Sequence, residues 1–507
     1  MRQKLSPEDN RRAWRYAALI VLMMLALGAG IVFLVAHDWP EETYLPDEQP
    51  LLVQAAQGLD DIRVIAELDP DTRLLTFTQE LTLTNRTGVD QTQVVLRSFS
   101  GAYLNQSTSP AATDALFFDC YGAAFDPGGL TLTRARIDGG MVIWHWLDDA
   151  QTVLALPAQW PVNGSVTVTL ECTVDIPECA GSFGHARDVF MLGQVFPVPA
   201  LWEDGAWRMD APAAFGPAAV SACANWDVTL TVPAGYTAAA SVQAEPEQDG
   251  AVRRYHFRGK ALRDFALAIS DRYVMSQRMA GDTIITAYAL TQEDADRLAE
   301  VAVQAFDSFG SRWGAYAWPT FTLAEAPLPW DGSAFPGLAV ISSGRITEGG
   351  SSLELTAARM TAQQWWGAMV GSDGVYQPWQ SLSLCEYALM DYIGDAYGAS
   401  DRADAVFDRI DTSLRMTIPR GLTPGSPIDS FSGPTQLQHV AGQRGAALWM
   451  ALETHLGKDA LDALLREYQT CFRFGLATRD DLTRLISQHT GQDLSMLMID
   501  YLDTYMY

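Results

Sequence analysis

A chain of 507 residues exceeds what one hydrophobic core organises and suits two or three domains. Its 48% apolar and 19% charged residues make a globular composition with ample core material. A formal charge of −27 gives a well-solvated surface and argues against nucleic acid or anionic lipid as a general partner.

The charge is unevenly spread. Residues 1–15 carry Arg2, Lys4, Arg11, Arg12 and Arg15 against Glu8 and Asp9. Residues 16–36 (YAALIVLMMLALGAGIVFLVA) then run for 21 positions without a charge, and Asp38, Glu41 and Glu42 follow. Such a run spans roughly 30 Å of hydrocarbon as a helix. Cations before it and acids after it predict a single-pass anchor in the cell membrane, with a cytoplasmic tail at 1–15 and the bulk of the chain outside. A cleaved signal peptide is the competing reading. The run is long for an h-region, however, and LVAHDW is a poor small-x-small cleavage site. The bilayer is therefore the expected partner of residues 16–36.

Residues 37–57 are rich in acids and proline and read as a linker. From about Ile62 the hydrophobic period becomes two, with Leu75, Phe77, Leu81 and Leu83 on one parity after an Asp69-Pro70-Asp71 turn. The segments QTQVVLRSF, LTLTRARI, MVIWHWL, SVTVTLECTVDI, WDVTLTVP, RRYHFRG and FALAISDRY continue the pattern. They predict an antiparallel β domain over 58–280, a curved sandwich or saddle. The period changes near Thr291, where Thr291 and Asp294 make a capping-box-like start. Leu298, Val301, Ala302, Ala305, Phe306 and Phe309 then recur at helical spacing. Two strand-like stretches, TFTLAEAPL and GLAVISSG, precede a mostly helical remainder that includes LTAARMTAQQWWGAMV and SLCEYALMDYIGDAYG. The fold class is α+β.

Six cysteines stand at 120, 172, 179, 223, 385 and 471. None forms a CxxC pair or neighbours a histidine, so a cysteine metal site is not expected. Cys172 and Cys179 flank a short Asp-Ile-Pro-Glu turn and are the expected bridge in an oxidising compartment. Sequons at Asn85, Asn105 and Asn163 fit an exposed sheet. There is no Gly-x-Ser-x-Gly motif, phosphate loop or dinucleotide fingerprint.

From about residue 58 to 507 the order of segments resembles the aminopeptidase N family of gluzincin zinc peptidases. The strand ending in Thr84-Asn85-Arg86-Thr87 and the stretch Trp226-Asp227-Val228-Thr229 look like that family's β domain. AFDSFGSRWGAYAWP, over 305–319, is similar to its first helix and the loop after it. Phe335-Pro336-Gly337-Leu338 resembles the end of the substrate-amine loop, and Gln363-Gln364-Trp365-Trp366-Gly367 the tail of the zinc helix. Pro378-Trp379 with Leu384-Cys385-Glu386-Tyr387 resembles the segment carrying the third zinc ligand. Gln443-Arg444-Gly445-Ala446 fits a Tyr-x-x-Gly-Ala segment. The resemblance implies that residues 281–507 form a thermolysin-like, mostly helical catalytic-type domain.

In that family two histidines four apart on a helix and a later glutamate hold zinc, and a glutamate beside the first histidine is the general base. Aligned on Trp-Trp-Gly, that motif falls on Arg359-Met360-Thr361-Ala362-Gln363. Arg359 stands for the first ligand and has no lone pair to give. Met360 stands for the base and cannot take a proton. Gln363 stands for the second histidine, and its neutral amide is a weak zinc donor. Leu382 stands for the third ligand, Ala334 for the amine-binding glutamate, and Gly442 for the tyrosine that stabilises the intermediate. A check independent of alignment agrees: histidines lie only at 37, 145, 185, 256, 439, 455 and 489, no two of them four apart.

Although zinc is the cofactor the family implies, no cofactor is expected here. The expected function is a membrane-anchored, extracytoplasmic pseudopeptidase that binds or scaffolds, with a peptide or a membrane protein as partner. Arg359, Gln363, Trp330 and Glu386 are its candidate cleft-binding residues, with Asp331 and Gly332 at the rim and Gln438 and His439 near the old tyrosine position. Trp365, Trp366 and Trp379 are expected to pack in the core. The alternatives are a peptidase with a non-standard site, or an accessory subunit of a membrane transport complex.

Overall fold

Leu75, Phe77, Leu81 and Leu83 lie buried along the strand Leu74–Thr84, while Thr76, Thr78, Glu80 and Thr82 face outward. The buried face also carries Gln79, whose amide donates to the Pro197 carbonyl at 2.8 Å. This strand is central to an eight-stranded sheet that runs from Glu247–Asp249 at one edge to Gly140–Met141 at the other. Two four-stranded sheets, one built on Val189–Leu192 and Leu267–Ser270, the other on Gln91–Arg97 and Val153–Trp160, and a two-stranded pair of Trp202–Glu203 with Ala206–Trp207 also belong to the first half. The computed structural model describes residues 50–113, 115–216 and 220–504. The expected tail and anchor lie outside the described residues, among which no helix is long and apolar enough to cross a membrane. Pro50–Ala56, at the end of the expected linker, form a short helix that buries Leu52.

Three expectations for this half need correction. The large sheet is not wholly antiparallel, because Asp60–Asp69 pairs in parallel with Ala224–Pro233. MVIWHWL is not one strand. Gly140–Met141 pairs with Gly129–Ile137 in the large sheet and His145–Trp146 with Val153–Trp160 in a small one, so the chain breaks as it crosses between them. Ile143, at the crossing, is 79% exposed. The sequon Asn85 is fully buried, with its amide donating to the carbonyls of Trp160 and Val89, so it cannot accept a glycan in the folded chain. Asn105 and Asn163 are exposed.

The second half starts with the hairpin Val274–Ala280 and Thr283–Ala289, which straddles the 280/281 boundary read from the sequence. This hairpin is continued by Thr320–Ala326, Leu338–Ser342 and Gly332–Phe335 into a mixed five-stranded sheet. The helix Gln292–Trp313 is capped by Thr291, whose hydroxyl accepts from the Asp294 amide, and its apolar stripe is buried. The expected long helix through Val370 instead ends at Ala362, so Gln363 is its cap. Beyond it the amides of Ala368, Met369 and Val370 reach back five residues to Gln363, Gln364 and Trp365. This widened coil sends the two indoles to different neighbours. Trp365 packs on Phe306, Phe309 and Tyr316, and Trp366 on Trp313 and Tyr468. With Trp379 also fully buried, these tryptophans are core and not a binding shelf.

Trp365 also donates from Nε1 to the Gly314 carbonyl at 3.0 Å. Trp365→Ala should lower stability by about 3–5 kcal/mol, read as a fall in the urea midpoint of the tryptophan fluorescence transition.

Candidate functional site

The loop 328–335, the helix Gly350–Ala362, the start of the helix Trp379–Tyr397 and the coil around 434–443 enclose a cavity of about 480 Å³. Arg359 enters it from the last turn of its helix and is only 7% exposed in its side chain. One guanidinium nitrogen donates to Asp331 Oδ2 at 2.9 Å and another to Gln438 Oε1 at 2.7 Å. Asp331 also takes Arg345 Nε at 2.8 Å. On the other side Gln438 Nε2 donates to Glu386 Oε2 at 2.9 Å, and Arg409 pairs with both carboxylate oxygens of Glu386. A continuous polar chain thus runs Arg345, Asp331, Arg359, Gln438, Glu386, Arg409.

Two π-helical stretches supply this chain. Val406–Asp411 carries Arg409, and Gln438–Arg444 carries Gln438. The wider π turn is often found at functional sites because it re-aims side chains. Gly442 leaves room for the second. A Cβ there would stand 2.7 Å from Gln438 Nε2. Burial alone would push the Asp331 carboxyl up, but Arg359 and Arg345 outweigh it and hold it below the ordinary value. Burial likewise opposes the charge on Arg409, and Glu386 more than restores it.

Arg359, Met360, Gln363, Leu382, Ala334 and Trp330 all line this cavity. Glu386 and Gly442 do not; Glu386 lies behind Gln438, with no exposure of its own. Met360 is packed, and its sulfur accepts from Gln363 Nε2 at 3.4 Å. Trp330 donates to Ser333 Oγ at 3.0 Å. His439 is engaged with Gln443 at 2.7 Å. At the positions that the resemblance gives to the zinc ligands and the base stand a guanidinium, a carboxamide, a hydrocarbon and a thioether, which make a poor set for zinc, while Asp331, Glu348 and His439 line the cavity beside them. Among the described residues no three His, Cys, Asp or Glu side chains converge as a metal site would need.

Sequence reading missed Arg345 and Arg409, which carry no motif and lie outside the segments that resemble the family. It also passed over Gln364, which is fully buried and ties down the loop at 335–337. Its Oε1 accepts from the Gly337 amide at 2.9 Å and its Nε2 donates to the Phe335 carbonyl at 3.1 Å. Its place between Gln363 and the two tryptophans was the only signal.

A second cavity shares Gly216, Ser333, Ala334 and Gln363 with the first and opens toward the β half, where Phe99, Tyr103, Phe183 and Phe196 line it. Asp264 stands in its wall. Its Oδ1 accepts from the Phe265 amide at 2.8 Å, while its Oδ2 is shut from solvent and has no hydrogen-bond partner within normal bonding distance among the described residues. Burial raises this carboxyl to about 6, against the pull of the Phe265 and Gln194 amides.

No protein-family model and no curated protein sequence matches this chain. Solved structures do. A single-site mutant of the M1 zinc metallopeptidase from Deinococcus radiodurans is similar, at TM-score 0.60 and 16% identity over 88% of this chain and 94% of that one. The mutant bound to a Tyr-Ser-Ala substrate gives TM-score 0.61 over the same shares. The unmutated enzyme gives 0.60 at 15% identity, over 88% and 92%. The chain therefore has the mixed α+β fold of M1 zinc metallopeptidases, a β-sandwich half followed by a helical half.

Replacing Glu386 by Leu leaves the half-buried Arg409 without its carboxylate and should cost about 2–3 kcal/mol of stability, whereas the double change Glu386→Leu with Arg409→Met should cost less. Urea unfolding of the three proteins checks this. For Asp264 the folded chain holds a proton that the unfolded chain has released between about pH 4 and 6, so stability falls as pH rises through that window. Asp264→Asn should abolish this slope and exceed the parent by about 2–3 kcal/mol above it, measured as unfolding midpoints from pH 4 to 8.

Proposed function

We propose that this chain is a pseudopeptidase: an M1-type frame, anchored by residues 16–36 and facing outward, that binds a peptide or a membrane protein and does not hydrolyse peptides through zinc. The observation that carries the reading is the tie of Arg359 to Asp331 and Gln438. The resemblance puts the first zinc ligand at this position. A fixed cation already bonded on two sides repels a divalent metal and leaves no lone pair for one. Met360, at the position of the base, is packed and engaged with Gln363. An open cavity persists around these residues, which supports binding over a purely structural role.

The second reading, a peptidase with a non-standard site, is favoured by the fold alone, since the similar structures are zinc peptidases, one of them bound to Tyr-Ser-Ala. Elemental analysis of the purified full chain in detergent, with assays on aminoacyl substrates, separates the two. The proposal expects zinc far below one per chain and no cleavage that a chelator abolishes. Stoichiometric zinc with chelator-sensitive cleavage overturns it.

A further inference from the structure

The bridge expected between Cys172 and Cys179 is not formed; all six cysteines are free thiols. Cys172 lies in the strand Ser165–Asp175, where its cross-strand neighbours are Phe77 and Leu132. Cys179 lies beyond the Pro177 turn and faces a different thiol. Cys120, in the short helix Phe117–Tyr121, is held against it because the Ala180 amide donates to the Cys120 carbonyl at 2.8 Å. The Cys179 thiol itself donates to the Ala180 carbonyl at 3.7 Å, so the same short stretch that bonds the Cys120 backbone also holds the Cys179 sulfur. Both are buried, at 5% and 2% exposure.

We infer that Cys120 and Cys179 form a disulfide when the chain folds in the presence of a disulfide oxidant. One cysteine, as thiolate, attacks a sulfur of the oxidant and releases one thiol. The second displaces the other half, so two protons and two electrons pass to the oxidant, which ends as two thiols. The neighbouring Cys120 and burial hold the Cys179 thiol well above the ordinary value, so the finished fold oxidises slowly and the disulfide is set during folding.

The link fastens a wall of the cavity system. The segment after Cys179 carries Ser182, whose hydroxyl meets that of Ser333 at 3.1 Å, and Phe183, whose ring stands edge-on to Tyr103 at 4.9 Å. Gly181 brings the same segment against the Trp330 ring. A bond from 179 to 120 ties these residues to the helix beneath them, so the cavity rim held by Trp330 and Ser333 becomes less free to open. This inference depends on neither the pseudopeptidase reading nor the proposed membrane anchor.

The test uses the full chain, reduced and unfolded, then refolded in a buffer of glutathione and glutathione disulfide. In parallel, the reduced folded chain is held with glutathione disulfide in urea below its unfolding midpoint, where local opening exposes the thiols. After alkylation and proteolysis, mass spectrometry should find a Cys120–Cys179 linked peptide in the natively fluorescent product of either arm, with Cys471 alkylated. Amide exchange over 180–184 should be at least about threefold slower in the linked form than in the reduced form. Cys120→Ser should lose both effects, and Cys471→Ser, at an exposed position, should keep both. Native product with Cys120 and Cys179 both alkylated, or with Cys179 joined to Cys172, overturns the inference. A link that leaves exchange unchanged overturns the fastening of the wall.

Discussion

A carboxylate with no access to water must be answered by fixed partners, and Glu386 is such a group. Its answer comes from two directions, Arg409 on one side and Gln438 on the other. Gln438 has a second end, and that end fixes Arg359, which in turn fixes Asp331 and with it the loop beneath Trp330. One buried charge thereby orders residues from four separate stretches of chain. The π-helical stretches at Val406–Asp411 and Gln438–Arg444 make sense in this light, since each delivers one partner to that charge.

Much of the fold was legible because it is local. Alternation along Leu74–Thr84 and the Thr291 cap of Gln292–Trp313 need only a few residues of context. The parallel pairing of Asp60–Asp69 with Ala224–Pro233 was not legible, since it joins distant segments and alternation looks alike in both orientations. The end of the helix at Ala362 was hidden for another reason. Gln-Gln-Trp-Trp reads as helix by propensity, and the rings that Trp365 and Trp366 meet, Phe306 and Trp313 among them, lie far away in sequence. The cysteine pairing failed because nearness in sequence is no guide to facing across a turn; the strand holds Cys172 among Phe77 and Leu132, away from the residue it was paired with.

The candidate site was legible in part. Arg359, Met360, Gln363, Leu382 and Ala334 were named from motif position, and all line one cavity. Motif position gave no hint of what they bond to. Arg345 and Arg409 belong to no motif, and the role of Gln438 depends on a π turn that single-sequence periodicity cannot register. Charge is the more general lesson. Arg345, Arg359 and Arg409 share one cavity wall because Asp331 and Glu386 alternate with them, each acid answering two cations either directly or through Gln438.

The bare backbone at Gly442 makes that position a lever on the polar chain. A Cβ there meets Gln438 at 2.7 Å, so any larger residue must displace the amide that joins Arg359 to Glu386. A side chain at 442 therefore acts on the cavity at one remove, by turning the Gln438 amide away from the two charges that it joins.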